Sequence, residues 1–213
     1  FLGASILSMM ATPFLIKAAP RLGYALQSVF APASLLEPTV PGFDVQEIDL
    51  RGHVIIVGYG LNGRNLAKVL RKTGVPYLVL ELNAEAVREA STQGERIVYG
   101  DATRKEVLHH IRIEHARILV LAISDPMASR HTVWLARQLN PGIHIIVRTR
   151  YVAEIPDLHK LGANEVIPEE FETSIEIFSR VLREYGIARH VIQRQVAEIR
   201  SEGYEMLRVP SPP

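Results

Sequence analysis

HVIIVGYGLNGRNLAKVL, residues 53–70, carries three signals in one stretch. HVIIVG is a short β-branched run without polar alternation after its first residue, the pattern of a parallel strand buried on both faces. Gly58-Tyr59-Gly60-Leu61-Asn62-Gly63 follows as G-x-G-x-x-G. Leu66, Val69 and Leu70 then recur at helical spacing, and Gly74 ends the segment. Strand, glycine turn and helix in that order make the phosphate-binding start of a dinucleotide fold.

Outward from this stretch the alternation continues. YLVLE (77–81) reads as a second strand, Ala84 to about Gln93 as a second helix and RIVYG (96–100) as a third strand. A short helix begins near Lys105, and ILVLAI (118–123) is the fourth strand. Ser124-Asp125-Pro126 opens a helix, with an acid to cap it and proline at its first position; Pro141-Gly142 breaks it. HIIVRT (144–149), a helix over about 152–161, EVI (165–167) and a longer helix complete the series. The expected fold is α/β: a Rossmann-like, doubly wound parallel sheet of six strands in the order 3-2-1-4-5-6. On the last helix Phe171, Ile175, Phe178, Val181, Leu182 and Tyr185 read as one apolar stripe. It exceeds what a terminal helix needs against one sheet face, so a homodimer built on the last strands and helices is expected.

Each glycine of the fingerprint has its own task. Gly58 permits the tight turn, Gly60 lets backbone approach a phosphate, and Gly63 lets the helix lie close to the strand. The helix N-terminus adds unpaired N–H groups and partial positive charge. Tyr59, Leu61 and Asn62 fill the variable positions of the same turn. Glu81 ends the second strand 23 residues after Gly58. Its carboxylate can accept hydrogen bonds from ribose hydroxyls and would repel a 2′-phosphate, which favours NAD(H) or AMP over NADP(H). Asp101, in Gly100-Asp101-Ala102-Thr103, ends the third strand near where adenine would lie. An equally open reading makes Asp101 the cap of the next helix. With Leu82, Ala102 and Thr103 these residues form the candidate cofactor site. Arg148 and Arg150, two apart on the chain leaving strand five, are a candidate second anion site. An acid such as Glu169 or Glu170 ranks first as their partner, ahead of a distal phosphate or a glutathione-like carboxylate.

Composition narrows the function. Twenty-four Lys and Arg against 23 Asp and Glu leave a net charge of +1, which argues against a dedicated nucleic-acid binder. Cysteine is absent, removing disulfides, Cys-ligated zinc and thiol nucleophiles together. None of the seven tyrosines has lysine four residues later, and there is no G-x-S-x-G, P-loop or H-E-x-x-H. The eight histidines include no i,i+4 pair, so no metal site is expected. The site can bind but shows no means of reacting, and the chain reads as a non-enzyme.

The ends differ from the middle. FLGASILSMMATPFLI, sixteen uncharged residues before Lys17, falls short of the roughly 20 that span a bilayer but reads as the cut end of a membrane helix. Lys17 and Arg21 just beyond it place the downstream residues on the cytoplasmic side. The expected organisation is therefore the end of a transmembrane helix (1–21), a proline-bearing linker (22–50), the nucleotide-binding domain (51–186) and a C-terminal extension with linker stub (187–213).

Strand, fingerprint, acid, Gly100-Asp101-Ala102-Thr103 and Leu161-Gly-Ala-Asn-Glu-Val-Ile-Pro-Glu169 in this order resemble the TrkA-N, or RCK, domain. More narrowly, the chain is similar to the cytoplasmic tail of Kef-type monovalent cation:proton antiporters. The resemblance implies binding of NAD(H) or AMP at the residues above, dimerisation, and control of potassium and proton flux through an attached antiporter domain in the cell inner membrane. It also implies that Arg148 and Arg150 match a position where some Kef members bind glutathione. Two other readings stay open: a fragment of an NAD-dependent oxidoreductase, and a soluble nucleotide-sensing subunit or regulator.

Overall fold

The strand in the decisive stretch, β1 (Val54–Val57), is buried at all four positions, as its unbroken apolar run requires. In this computed structural model, which describes residues 51–207 and side chains as far as residue 201, it sits at the middle of a six-stranded sheet. The others are β2 (Tyr77–Glu81), β3 (Ile97–Tyr99), β4 (Ile118–Leu121), β5 (His144–Thr149) and β6 (Glu165–Pro168). All pairings are parallel and the order is β3-β2-β1-β4-β5-β6, as expected. The residues expected as a transmembrane end and linker lie outside the described residues. Among the described residues no helix is long and apolar enough to cross a membrane.

Helices α1 (Leu61–Thr73), α2 (Ala84–Thr92), α3 (Lys105–His110), α4 (Pro126–Leu139) and α5 (Ile155–Leu161) join the strands. Their ends follow local chemistry. Asn83 caps α2 by accepting from the N–H groups of Glu85 and Ala86, and Asp125 caps α4 by accepting from Met127 and Ala128. Gly74 and Gly162 close α1 and α5 in the left-handed region, at φ 71° and 111°.

The two halves of the sheet are packed differently. β1 and β2 are buried on both faces, whereas β4, β5 and β6 alternate. Leu119, Leu121, Ile145, Val147 and Val166 join Val133 and Ala136 of α4 and Leu158 of α5 in the core. Ile118, Val120 and Ile146 are only half-buried on the opposite face, and Ile167 is exposed. The ILVLAI run is apolar on both faces, yet only one of them is fully covered within the described residues.

The last two helices, α6 (Glu169–Glu184) and α7 (Arg189–Leu207), form a hairpin. The single stripe expected on α6 divides in two. Ile175 is buried, and Phe171, Phe178 and Leu182 are half-buried along its line. Val181 and Tyr185 are exposed together with Ile177, on the neighbouring row of the helix. Ile192 of α7 is buried, and Arg200 donates to Glu172 at 2.6 Å. Much of the segment expected as an extension is thus helical.

The motif Leu161-Gly162-Ala163-Asn164 is a clamp. Asn164 Oδ1 accepts the N–H of Ile145 at 2.8 Å and Arg137 Nη2 at 2.7 Å. Arg137 also donates to the carbonyls of Gly162, Pro141 and Ile143. One guanidinium and one amide therefore lock the end of α4, the start of β5 and the approach to β6. Asn164→Ala should cost about 1–3 kcal/mol, the scale of a backbone donor left without its partner. Urea unfolding should show this as a lower midpoint at unchanged m-value.

Candidate functional site

The ends of β1, β2 and β3 bring the fingerprint, Glu81 and Asp101 to one edge of the sheet, since Glu81 pairs with Tyr99 in register. The glycines differ in what holds them. Gly58 has φ +99°, and a Cβ there would lie 2.8 Å from Ile123 Cγ2. At Gly63 a Cβ would come within 1.9 Å of the Gly58 carbonyl oxygen, so α1 rests directly on the turn before it. Gly60 is the N-cap of α1 with ordinary φ of −69°, and a Cβ there would meet nothing within 4 Å. Among the described residues no contact demands glycine at that position. It leaves open space over the first turn of a helix whose N–H groups point outward.

Glu81 faces the same opening and is held by backbone. Its Oε2 accepts the Tyr59 N–H at 2.6 Å and its Oε1 the Asn83 N–H at 2.7 Å. Each carboxylate oxygen retains a lone pair for a further donor. Leu61 at the start of α1 and Leu82 directly after Glu81 are both largely exposed, and Asn62 is exposed on α1.

Asp101 is not the cap of α3, whose N-cap is Arg104 without a side-chain bond. Instead Asp101 Oδ1 accepts both the N–H and the hydroxyl of Thr103, at 2.9 and 2.7 Å. The Thr103 hydroxyl, ahead of the opposing effect of burial, holds the Asp101 carboxyl below the usual range. It is therefore an anion at neutral pH beside the strand end. The next residue, Ala102, is buried.

The two arginines are not equivalent. Arg148 Nε bonds Glu169 Oε1 at 2.5 Å and Nη1 donates to Ser124 Oγ at 2.9 Å. An internal acid, the first-ranked partner, thus takes Arg148. The Arg150 side chain is exposed, while its carbonyl accepts the N–H of Glu170 at 3.3 Å. Beside the glycine turn a cavity of about 890 Å³ lies between Asn62 and Leu66 of α1, the half-open sheet face at Val120, Ile146 and Ile167, and Glu172, Glu176 and Ile177 of α6.

Sequence reasoning missed one residue that touches this region. The Tyr59 hydroxyl turns inward and donates to Glu95 Oε2 at 3.3 Å. Glu95 sits in Thr92-Gln93-Gly94-Glu95-Arg96, which reads as a polar surface turn, yet it is 5% exposed. The only signal was the presence of two tyrosines, Tyr59 just past the end of β1 and Tyr77 at the start of the neighbouring β2, whose hydroxyls both reach Glu95.

Residues 54–169 match the family model described as the TrkA-N domain. The chain is 32% identical over 203 residues to a putative K(+) efflux antiporter KefB of Alkalimonas amylolytica, covering 95% of this chain and 31% of that protein. It thus spans about a third of that relative's length. Among solved structures it is similar to the TrkA-N domain of the inner membrane protein ybaL from Escherichia coli, with TM-score 0.59, 32% identity and coverage of 62% of this chain and 97% of that one. It is also similar to a GsuK channel bound to NAD, with TM-score 0.56, 26% identity and coverage of 85% and 32%.

The glycine geometry separates fold from binding. Gly63→Ala should fail to fold, because its methyl would overlap the Gly58 backbone oxygen in the tight turn that joins β1 to α1. Gly60→Val should fold within about 1 kcal/mol of the parent protein. Circular dichroism and thermal unfolding of the two variants read the difference.

Proposed function

Because the chain belongs to the TrkA-N domain family, we propose that it is a nucleotide-sensing regulatory domain of a monovalent cation:proton antiporter, with potassium as the expected cation. The observation that carries this reading is the open Gly60 at the N-terminus of α1, set beside a Glu81 carboxylate already oriented by two backbone N–H groups. A phosphate meets the helix N-terminus there, and ribose hydroxyls meet Glu81. NAD(H) or AMP is the ligand class, with Gly58, Gly63, Leu82, Asp101, Ala102 and Thr103 completing the site. The likeness to an NAD-bound channel supports a dinucleotide. The domain acts without catalysing a reaction. Bound nucleotide favours one arrangement of a domain dimer and so biases the attached transmembrane part.

Residues 1–21 are proposed as the end of the last membrane helix of that antiporter and 22–50 as the tether, which puts the described domain on the cytoplasmic side of an inner membrane. Arg148 serves the Glu169 pair. Arg150 is the arginine left to meet a glutathione-like anion.

Calorimetry with NADH, NAD, AMP and NADPH tests the site. Glu81→Ala should weaken adenine nucleotides by about 1–3 kcal/mol, the loss of a charged hydrogen bond, and Gly60→Val should abolish binding. NADPH binding as tight as NADH would remove Glu81 from the ribose.

The homodimer is supported by two unsatisfied surfaces: the half-open face of β4–β6 and the exposed Ile177, Val181 and Tyr185 on α6. Light scattering on residues 51–213 at tens of micromolar should give twice the chain mass. Ile177→Glu should shift it towards monomer. A monomer in the parent protein rejects the dimer.

A further inference from the structure

We propose that Glu95 is a positioning residue for adenine-nucleotide binding, acting through the Tyr59 side chain on the glycine turn and on Glu81. The inference rests on the nucleotide reading of that site and adds to it a residue that no motif marks.

Glu95 follows Gly94, which has φ +75°, and immediately precedes β3. A carboxylate this buried is tolerated only when its oxygens are satisfied. Four donors satisfy them: the Tyr77 hydroxyl and the Arg96 N–H on Oε1, the Tyr59 hydroxyl and Arg71 Nη1 on Oε2. Tyr77, Arg71 and Arg96 belong to the opposite end of the sheet from the glycine turn, namely the first residue of β2, the last turn of α1 and the approach to β3. They can hold the carboxylate without help. Tyr59 is the donor that comes from the fingerprint.

That makes Tyr59 a two-ended residue. Its hydroxyl is on Glu95, and its N–H is on Glu81 Oε2 at 2.6 Å. Glycines flank it on both sides, and the Gly-Tyr-Gly backbone would otherwise be the most freely rotating part of the site. Anchoring the tip of the side chain restrains the peptide that orients Glu81 and the N–H groups around Gly60, so less order has to be imposed when a ligand binds. Burial first, then the neighbouring Glu95, raises the pKa of the Tyr59 phenol, and Tyr77 is raised for the same leading reason. Both therefore remain donors at neutral pH.

Calorimetry with AMP and NADH, paired with thermal unfolding of the free protein, tests this on the whole chain. Tyr59→Phe should raise Kd roughly threefold to tenfold, the range of one hydrogen bond, with Tm unchanged because its long bond is only part-buried and Glu95 keeps the fully buried Tyr77 hydroxyl with Arg71 and Arg96. Tyr77→Phe, which removes a donor remote from the turn, should lower Tm and leave Kd unchanged. In a Glu81→Ala background Tyr59→Phe should cause a smaller further loss of affinity than in the parent protein, since part of its effect runs through the Glu81 carboxylate. Unchanged Kd in Tyr59→Phe, equal loss of affinity in Tyr77→Phe, or additive losses in the double variant would each overturn the inference. If Glu81→Ala weakens binding while Tyr59→Phe does not, the nucleotide site stands and only Glu95's role falls. If the parent protein binds neither nucleotide, both fall.

Discussion

The approach of α1 to β1 is the constraint on which the rest depends. At Gly63 the helix backbone lies so close to the Gly58 carbonyl that a single methyl group would occupy the same space. This contact fixes where the helix N-terminus points. It also places Gly60 over open space and aims the Tyr59 N–H at the end of β2, where Glu81 receives it. A helix one methyl further out would still cover the sheet, but its first N–H groups would no longer share an opening with that carboxylate. Close packing and ligand geometry are thus one requirement, met by one missing side chain.

Three acids then acquire different tasks from their donors alone. Glu81 is held by two backbone N–H groups and keeps lone pairs for a ligand. Asp101 folds back on Thr103, which stabilises its charged form and shapes the turn after β3. Glu95 is almost fully enclosed by two phenols, a guanidinium and a backbone N–H. Identical chemistry leaves one acid open at the glycine turn, shapes a turn with another and anchors the interior with the third, because burial and donor placement decide what a carboxylate can still accept.

The asymmetry of the sheet bears on function in another way. In the half that carries the fingerprint, the two strands next to it, β1 and β2, are buried on both faces. The other half leaves one face incompletely covered, next to a cavity bounded by the fingerprint helix and by α6. Arg148 spans the join, tied to Ser124 after β4 and to Glu169 at the start of α6. Under the proposed nucleotide reading, a shift of α1 on binding would meet this incompletely covered face rather than the packed core beneath it.

The sequence by itself determined the six-strand alternation, the strand order, the fingerprint and the acid at the end of the second strand. Each is written in short-range signals: buried β-branched runs, glycines at fixed offsets, a capped helix start at Asp125-Pro126, and an acid at a strand end. Crossover handedness leaves little choice of topology once those are in place. Tertiary structure alone showed that Asp101 turns on Thr103 rather than capping α3 and that Arg148 pairs with Glu169, because hydrogen-bond partners are chosen by three-dimensional proximity. It split the α6 stripe into a packed row and an exposed one, since periodicity reports an apolar face but not what lies opposite it. It also revealed Glu95, whose burial no local pattern encodes: a glutamate after Gly94 reads as solvated until β2, α1 and the glycine turn fold around it.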